Sequence, residues 1–280
     1  MNLNRRIRSR SIALVATGVL GLAVAPAAAS AASTTITISG ATASYPLVSL
    51  LAQKYAKIAK GAVKFKISQG GAQVGINDVA AGRVTIADVS RDPLPTDPKG
   101  LVFYPIAKYG ICVVTNKANA LSNLTGSQLT SIFTGKTRNW SQVPGASASG
   151  TIDLISRTSV AGVLTSFQTL LLEGKKVTEP LAQEKSSEGL LRAAVESDPN
   201  AIGFLSNYQA TLGQAKLNSV GFNGVACNKS TVTSGQYAGV ARFYEVTQGM
   251  AQGKASSFIN WISKSAAARK IISSQWIPIT

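Results

Sequence analysis

The stretch Thr35-Ile36-Thr37-Ile38-Ser39, followed by Gly40-Ala41-Thr42-Ala43-Ser44-Tyr45-Pro46, sets the pattern for the chain. Apolar residues alternate through Thr35–Ser39 as in a strand, and Leu47, Leu50, Leu51, Tyr55 and Ile58 then recur at helical spacing. A strand thus passes through a loop of small residues into a helix. The same unit returns at Val63–Ile67, where Ser68-Gln69-Gly70-Gly71-Ala72-Gln73-Val74-Gly75 leads into a helix over Val74–Ala81. It returns again at Ile152–Ile155, where Arg157-Thr158-Ser159-Val160-Ala161-Gly162-Val163 leads into a helix over Gly162–Leu172. Glycines let such a loop turn tightly and approach a ligand, and the free N–H groups of the following helix point at it, an anion-binding arrangement. One such loop is an ordinary turn. Three, with Arg91 and Arg157 beside two of them, point to a site.

Outward from these units the alternation continues. Strands are expected at Val84–Val89, Leu101–Ile106, Ile111–Thr115, Ile202–Leu205, Ser219–Phe222 and Arg242–Thr247. Helices are expected at Ser127–Phe133, Glu188–Glu196 and Lys254–Ser263. This order predicts an α/β protein with mostly parallel sheets. Its length exceeds one typical domain, and no linker is visible, so two lobes crossed more than once by the chain are expected. Ile111–Thr115 is the outgoing hinge strand and Arg242–Thr247 the returning one. The expected division is a leader at 1–31, a first lobe of 32–108 with 243–280, and a second of 109–242. The ligand cleft lies between the lobes.

The leader carries Arg5, Arg6, Arg8 and Arg10, an apolar run from Ile12 to Val24, and Ala29-Ser30-Ala31. Basic start, short apolar core and small-residue ending describe a secretory signal peptide cleaved after about Ala31. No Cys stands there to take a lipid anchor. The expected location is extracytoplasmic. Without the four arginines, 24 basic residues face 12 acidic ones, a net charge of +12. The lysines are scattered and lack interleaved aromatics, so a positive solvated surface is expected and nucleic-acid binding is not.

The chain has no His and only two Cys. That excludes a Ser-His-Asp or Cys-His relay, His-ligated zinc or haem, and a four-thiolate cluster. No paired acidic residues stand in the three loops, so neither an enzyme nor a cofactor is expected. Outside the cytoplasm Cys112 and Cys227 could form a disulfide closing a loop of about 115 residues, or remain two buried thiols.

Several stretches carry a family resemblance: Ser39–Pro46, Gly70–Asp92 with Ser90-Arg91, Asn123–Leu129, Ile132-Phe133-Thr134-Gly135-Lys136 to Asn139-Trp140, Ile155–Arg157, and Pro199–Gly203. The sequence resembles the phosphate-binding, extracytoplasmic substrate-binding proteins of ABC phosphate transporters, with a periplasmic-binding-protein-like fold. The resemblance implies two α/β lobes joined by hinge strands and closing on inorganic phosphate or a related oxyanion. ABC transporter membrane subunits are the implied partner, and a monomer the implied state. It assigns ligand contacts to Ala43, Ser44 and Tyr45 in the first loop, to Gly71 and Ala72 or Gln73 in the second, to Ser90 and Arg91 after the third strand, and to Arg157, Ala161, Gly162 and Val163 in the third loop. Asp88 and Asp92 are candidates for an acceptor that favours a protonated anion, and Asp92 beside Pro93 is equally a turn-former.

The sequence departs from the family where it matters most. Methyl-bearing Ala161 and Val163 stand where the family has hydroxyl donors, and in the second loop the family's serine falls at Ala72, or at Gln73 if the alignment slips by one. Each lost hydrogen bond to a charged group costs ~1.5–3 kcal/mol. Three outcomes are open: weak phosphate binding, a larger or less polar anion, or no ligand at all, the last being a secreted or cell-surface interaction protein with a degenerate cleft.

Overall fold

Ile36 and Ile38 are buried in β1 (Thr34–Gly40) while Thr35 is exposed and Thr37 half-buried, the alternation that a half-covered strand requires. Pro46 then stands in the first turn of α1 (Tyr45–Ile58), where its missing N–H costs nothing. Leu47, Val48, Leu51 and Ala52 form the buried stripe of α1 and belong to the same core as Ile36 and Ile38. These relationships come from a computed structural model that describes residues 33–178, 181–212 and 216–279. The expected signal peptide lies outside the described residues.

The chain continues through β2 (Val63–Gln69), α2 (Ala72–Ala80), β3 (Ile86–Val89), β4 (Leu101–Asn116), β5 (Asn123–Leu124), α3 (Gly126–Phe133), β6 (Asp153–Arg157) and α4 (Gly162–Leu171). It then forms β7 (Ala182–Lys185), α5 (Glu188–Ser197), β8 (Ala201–Ser206), α6 (Asn207–Thr211), β9 (Leu217–Phe222), α7 (Lys229–Ser234), β10 (Val240–Gln248), α8 (Gly253–Lys264), α9 (Ala266–Gln275) and β11 (Ile277–Pro278). The principal strand order is β2-β1-β3-β10-β4-β8-β6-β7.

The fold is α/β, but its sheet is mixed where mostly parallel pairing is expected from the alternation. The outer pairs β1–β2, β1–β3, β6–β7 and β6–β8 are parallel. The centre is antiparallel, because β10 returns along β4 and β8 runs against it.

The two strands expected at Leu101–Ile106 and Ile111–Thr115 are one sixteen-residue strand, β4. Its first part, Leu101–Gly110, pairs with β10, and from Ile111 onward it pairs with β8 and β9. Gly110 marks the transition without breaking the strand. A Cβ there would meet Val232 Cγ2 at 2.6 Å, so the glycine admits α7 against the strand. Its N–H donates to Asn207 Oδ1 at 2.9 Å, and the Tyr237 hydroxyl donates to the Ile111 carbonyl at 2.9 Å. One residue further, Cys112 is disulfide-bonded to Cys227, with Cα atoms 5.4 Å apart.

Elements α6, α7, α9 and β7 have no counterpart in the sequence expectations. α6, α7 and β7 are four to six residues long, and α9 follows α8 with only Ser265 between them. Asn228 caps α7 through Thr231, and Ser265 caps α9 through Ala267.

Candidate functional site

The three small-residue loops all leave the C-terminal ends of parallel strands, β1, β2 and β6, where α/β sheets place their ligands. They meet around a tight crevice whose walls, as they stand, leave no room for a water-sized sphere.

Of the residues singled out from sequence, Ala43, Gly71, Ala72, Ser90, Arg157, Ala161, Gly162 and Val163 line this cavity. Ala41 and Thr42 line it as well and were not foreseen. Thr42 lies inside the quoted first loop, but only the path of Arg157 reveals its role. The Arg157 Nη2 donates to Thr42 Oγ1 at 3.1 Å and to the Ser186 carbonyl at 2.9 Å, while Nε donates to the Lys185 carbonyl at 2.9 Å. All three partners are neutral. Among the described residues no carboxylate lies within ion-pairing distance of this buried cation. Burial pulls the guanidinium pKa down, and the fields of Glu188 and Tyr109 oppose that shift. Glu188, itself buried and pushed upward by burial, is held by the Ser206 N–H and hydroxyl, each at 2.7 Å.

Arg91 has a different fate. Its Nη1 and Nη2 grip Asp97 at 2.9 and 2.6 Å, and Nη2 also donates to Gln73 Oε1 at 3.0 Å. Both members of the pair are nearly fully buried. Burial pushes the Asp97 carboxyl up, but the Arg91 contacts and the Leu94 N–H outweigh it and leave the carboxyl lowered. Arg91 therefore does not line the cavity, and its charge is neutralised within the loop after β3. Gln73 is diverted with it: its side chain holds Arg91, and its N–H donates to the Val160 carbonyl at 3.0 Å. Ser44 and Tyr45 also stand outside the lining. The Ser44 hydroxyl donates inward to Asp88 Oδ1 at 2.5 Å. Asp92, exposed, accepts from the Tyr244 hydroxyl at 2.6 Å.

Helices α2 and α4 begin at the cavity with Ala72 and Gly162 as their first residues, and the loop entering α1 forms a third wall. Their N–H groups and the positive ends of their dipoles favour an anion. Thr42 and Ser90 supply the only side-chain hydroxyls of the lining, while Ala72, Ala161 and Val163 present methyl groups. Glycines permit the close approach. A Cβ on Gly162 would sit 2.7 Å from Ser90 Oγ and 2.8 Å from Ala72 Cβ, and one on Gly71 would sit 2.8 Å from the Val160 carbonyl oxygen. The described residues contain no group of three metal-ligating side chains, and no described helix is long and apolar enough to cross a membrane.

Comparison with known proteins returns one theme. The model of the PBP superfamily domain matches residues 25–265. The phosphate-binding protein PstS of Bacillus subtilis is 28% identical over 249 residues, 88% of this chain and 81% of the relative. A Clostridium perfringens structure, described as that of a phosphate ABC transporter substrate-binding protein with bound phosphate, superposes with a TM-score of 0.79 at 26% identity, covering 88% of this chain and all of that one. An ABC-type phosphate transport receptor from Vibrio cholerae gives a TM-score of 0.72 at 25% identity, again over 88% of this chain and all of that one.

Proposed function

The chain belongs to the PBP superfamily, whose domain model spans residues 25–265, and from that premise we propose that it captures phosphate or a related oxyanion and delivers it to the membrane subunits of an ABC transporter. The observation that carries this is Arg157, a buried cation at the cavity bonded only to neutral oxygens. A buried charge without a counter-ion in contact is costly, and an anion seated against it lowers that cost. The helix N-termini beside it add donors for the same charge. The relatives named for phosphate binding and phosphate transport support the choice of anion.

The two lobes are 32–108 with 243–280 and 109–242, hinged where β4 leaves β10 for β8; the change of pairing partner at Gly110–Ile111 supports this boundary. The protein works as an extracytoplasmic monomer once residues 1–31 are removed, and it binds its ligand without transforming it. The methyl groups of Ala72, Ala161 and Val163 leave binding to backbone N–H groups, Arg157, Thr42 and Ser90.

The test is thermal unfolding of residues 32–280 with phosphate, sulfate, molybdate and small organophosphates. A ligand that binds only the folded state raises the midpoint. A phosphate-selective rise, lost in Arg157→Ala, is expected. A rise with another anion alone would reassign the ligand. No rise with any of them would favour the second reading, an interaction protein of the same fold with a degenerate cleft, which the methyl lining supports.

A further inference from the structure

Behind the first loop lies an acidic pair that the anion site as described does not use. Asp88 on β3 and Glu245 on β10 are register partners. Both side chains face the α1 side of the sheet, since their neighbours Ile86 and Phe243 belong to the core there while Ala87, Val89, Tyr244 and Val246 face α2. Directly opposed residues on antiparallel strands hold their Cβ atoms ~4.5–5.5 Å apart. Asp88 is 2% exposed and Glu245 0%.

Among the described residues no cation pairs with either of them. From α1, Ser44 donates to Asp88 Oδ1. From β4, Tyr104 is the register partner of Glu245. From β1 and α8, Ile36, Ile38 and Phe258 are apolar. The charged group of α2, Asp78, lies behind the sheet and engages Ser39 and Arg83. Both carboxyl oxygens of Glu245 are buried without a partner among the described residues. Two buried carboxylates lacking a counter-ion cannot both stay ionised, so the pair holds protons. It is also close to the ligand: the Ala41 N–H donates to the Asp88 carbonyl at 2.8 Å, and Ala41, Thr42 and Ala43 line the cavity.

We infer that Asp88 and Glu245 form a proton-holding pair that positions charge behind the cleft, so that anion capture draws a proton onto the pair and binding tightens as pH falls through neutrality. This rests on the anion-receptor function proposed above. An anion one loop away penalises the ionised pair, and by reciprocity a protonated pair favours the anion. Burial supports the same sign: it pushes Asp88 up to about 7 against the Ser44 bond, and it raises Glu245, which the charge of Asp88 raises further. The proton comes from solvent. Once protonated, Asp88 can donate to the Ser44 oxygen it previously accepted from, so the first loop keeps its anchor in both states.

The experiment is calorimetric titration of inorganic phosphate from about pH 5.5 to 8.5 into the unmutated protein, Asp88→Asn and Glu245→Gln, in buffers of different ionisation enthalpy so that protons are counted. The titration of phosphate itself is common to all three. The unmutated protein is expected to take up an extra fraction of a proton near neutrality, and to lose about tenfold more affinity from pH 6 to 8 than Asp88→Asn. Identical profiles would overturn the inference while leaving the receptor function standing. Absence of phosphate binding at every pH would remove both. Should the variants fail to fold, carboxyl NMR of the unmutated protein decides: an Asp resonance titrating near neutrality must move to higher pH on adding phosphate, and an unmoved midpoint refutes the coupling.

Discussion

Arg157 Nη2 donates to Thr42 Oγ1 at 3.1 Å, tying the loop after β6 to the loop after β1. Two further bonds cross in the same region: the Gln73 N–H to the Val160 carbonyl at 3.0 Å and the Ser166 hydroxyl to the Ser90 carbonyl at 3.2 Å. Loops from the two ends of the strand order are thus in direct contact around the cavity, and among the described residues the cation at their junction has no carboxylate partner.

Replacing Arg157 tests whether that cation is the anchor. Charge-assisted hydrogen bonds contribute ~1.5–3 kcal/mol each, about a ten- to hundredfold change in Kd per bond. Arg157→Lys keeps a charge but loses the planar fork, so calorimetry should show phosphate affinity reduced by about that factor, and Arg157→Ala should show none.

Arg91 should behave differently. Asp97→Asn leaves a buried guanidinium without its partner, and breaking a buried pair typically costs ~3–5 kcal/mol. Urea denaturation should report a loss of that order. Phosphate affinity should change about twofold or less, and a parallel collapse in affinity would return Arg91 to the binding site.

Gly162→Ala addresses closure. The added methyl would approach Ser90 Oγ and Ala72 Cβ at 2.7 and 2.8 Å. Such overpacking costs ~1–3 kcal/mol, paid only when the loops meet. The loops already touch in this structure, so the expected result is weaker phosphate binding together with a lower melting temperature.

The disulfide closes a loop spanning 115 positions between Cys112 and Cys227. In the chain-entropy description a loop of this size contributes ~4–5 kcal/mol. The Cys112→Ala/Cys227→Ala double variant should unfold at correspondingly lower denaturant, and reduction of the parent should reproduce the shift.

The stability of the unliganded protein should fall as pH rises from about 4 toward 7. Asp88 is raised from 3.8 to about 7 by burial. The unfolded chain therefore releases this proton first, and the stabilisation present at low pH is lost on the way to the folded value. Asp88→Asn should flatten that part of a pH series of urea midpoints, and an unchanged slope would contradict the assignment.

Much of the local architecture was legible in the sequence. The units Thr35–Pro46, Val63–Gly75 and Ile152–Val163 announce themselves because a strand period, a run of small residues and a helix period are all short-range properties. The Arg157 loop and the methyl substitutions at Ala161 and Val163 could likewise be located residue by residue. Sheet polarity could not: whether β4 is one strand or two, and whether β10 runs with it or against it, depends on which strands lie side by side.

The sequence alone therefore determined the α/β alternation, the three small-residue loops, the absence of any histidine chemistry, and a single pair of cysteines. Tertiary structure decided which charges remain available. Arg91 and Arg157 look equivalent in one dimension, each an arginine at the end of a strand unit. Asp97 reaches the first, and only neutral oxygens reach the second. Asp88 and Glu245, far apart in the chain, become neighbours because β3 pairs with β10. Electrostatics in a buried site follows distance and desolvation, and folding sets both.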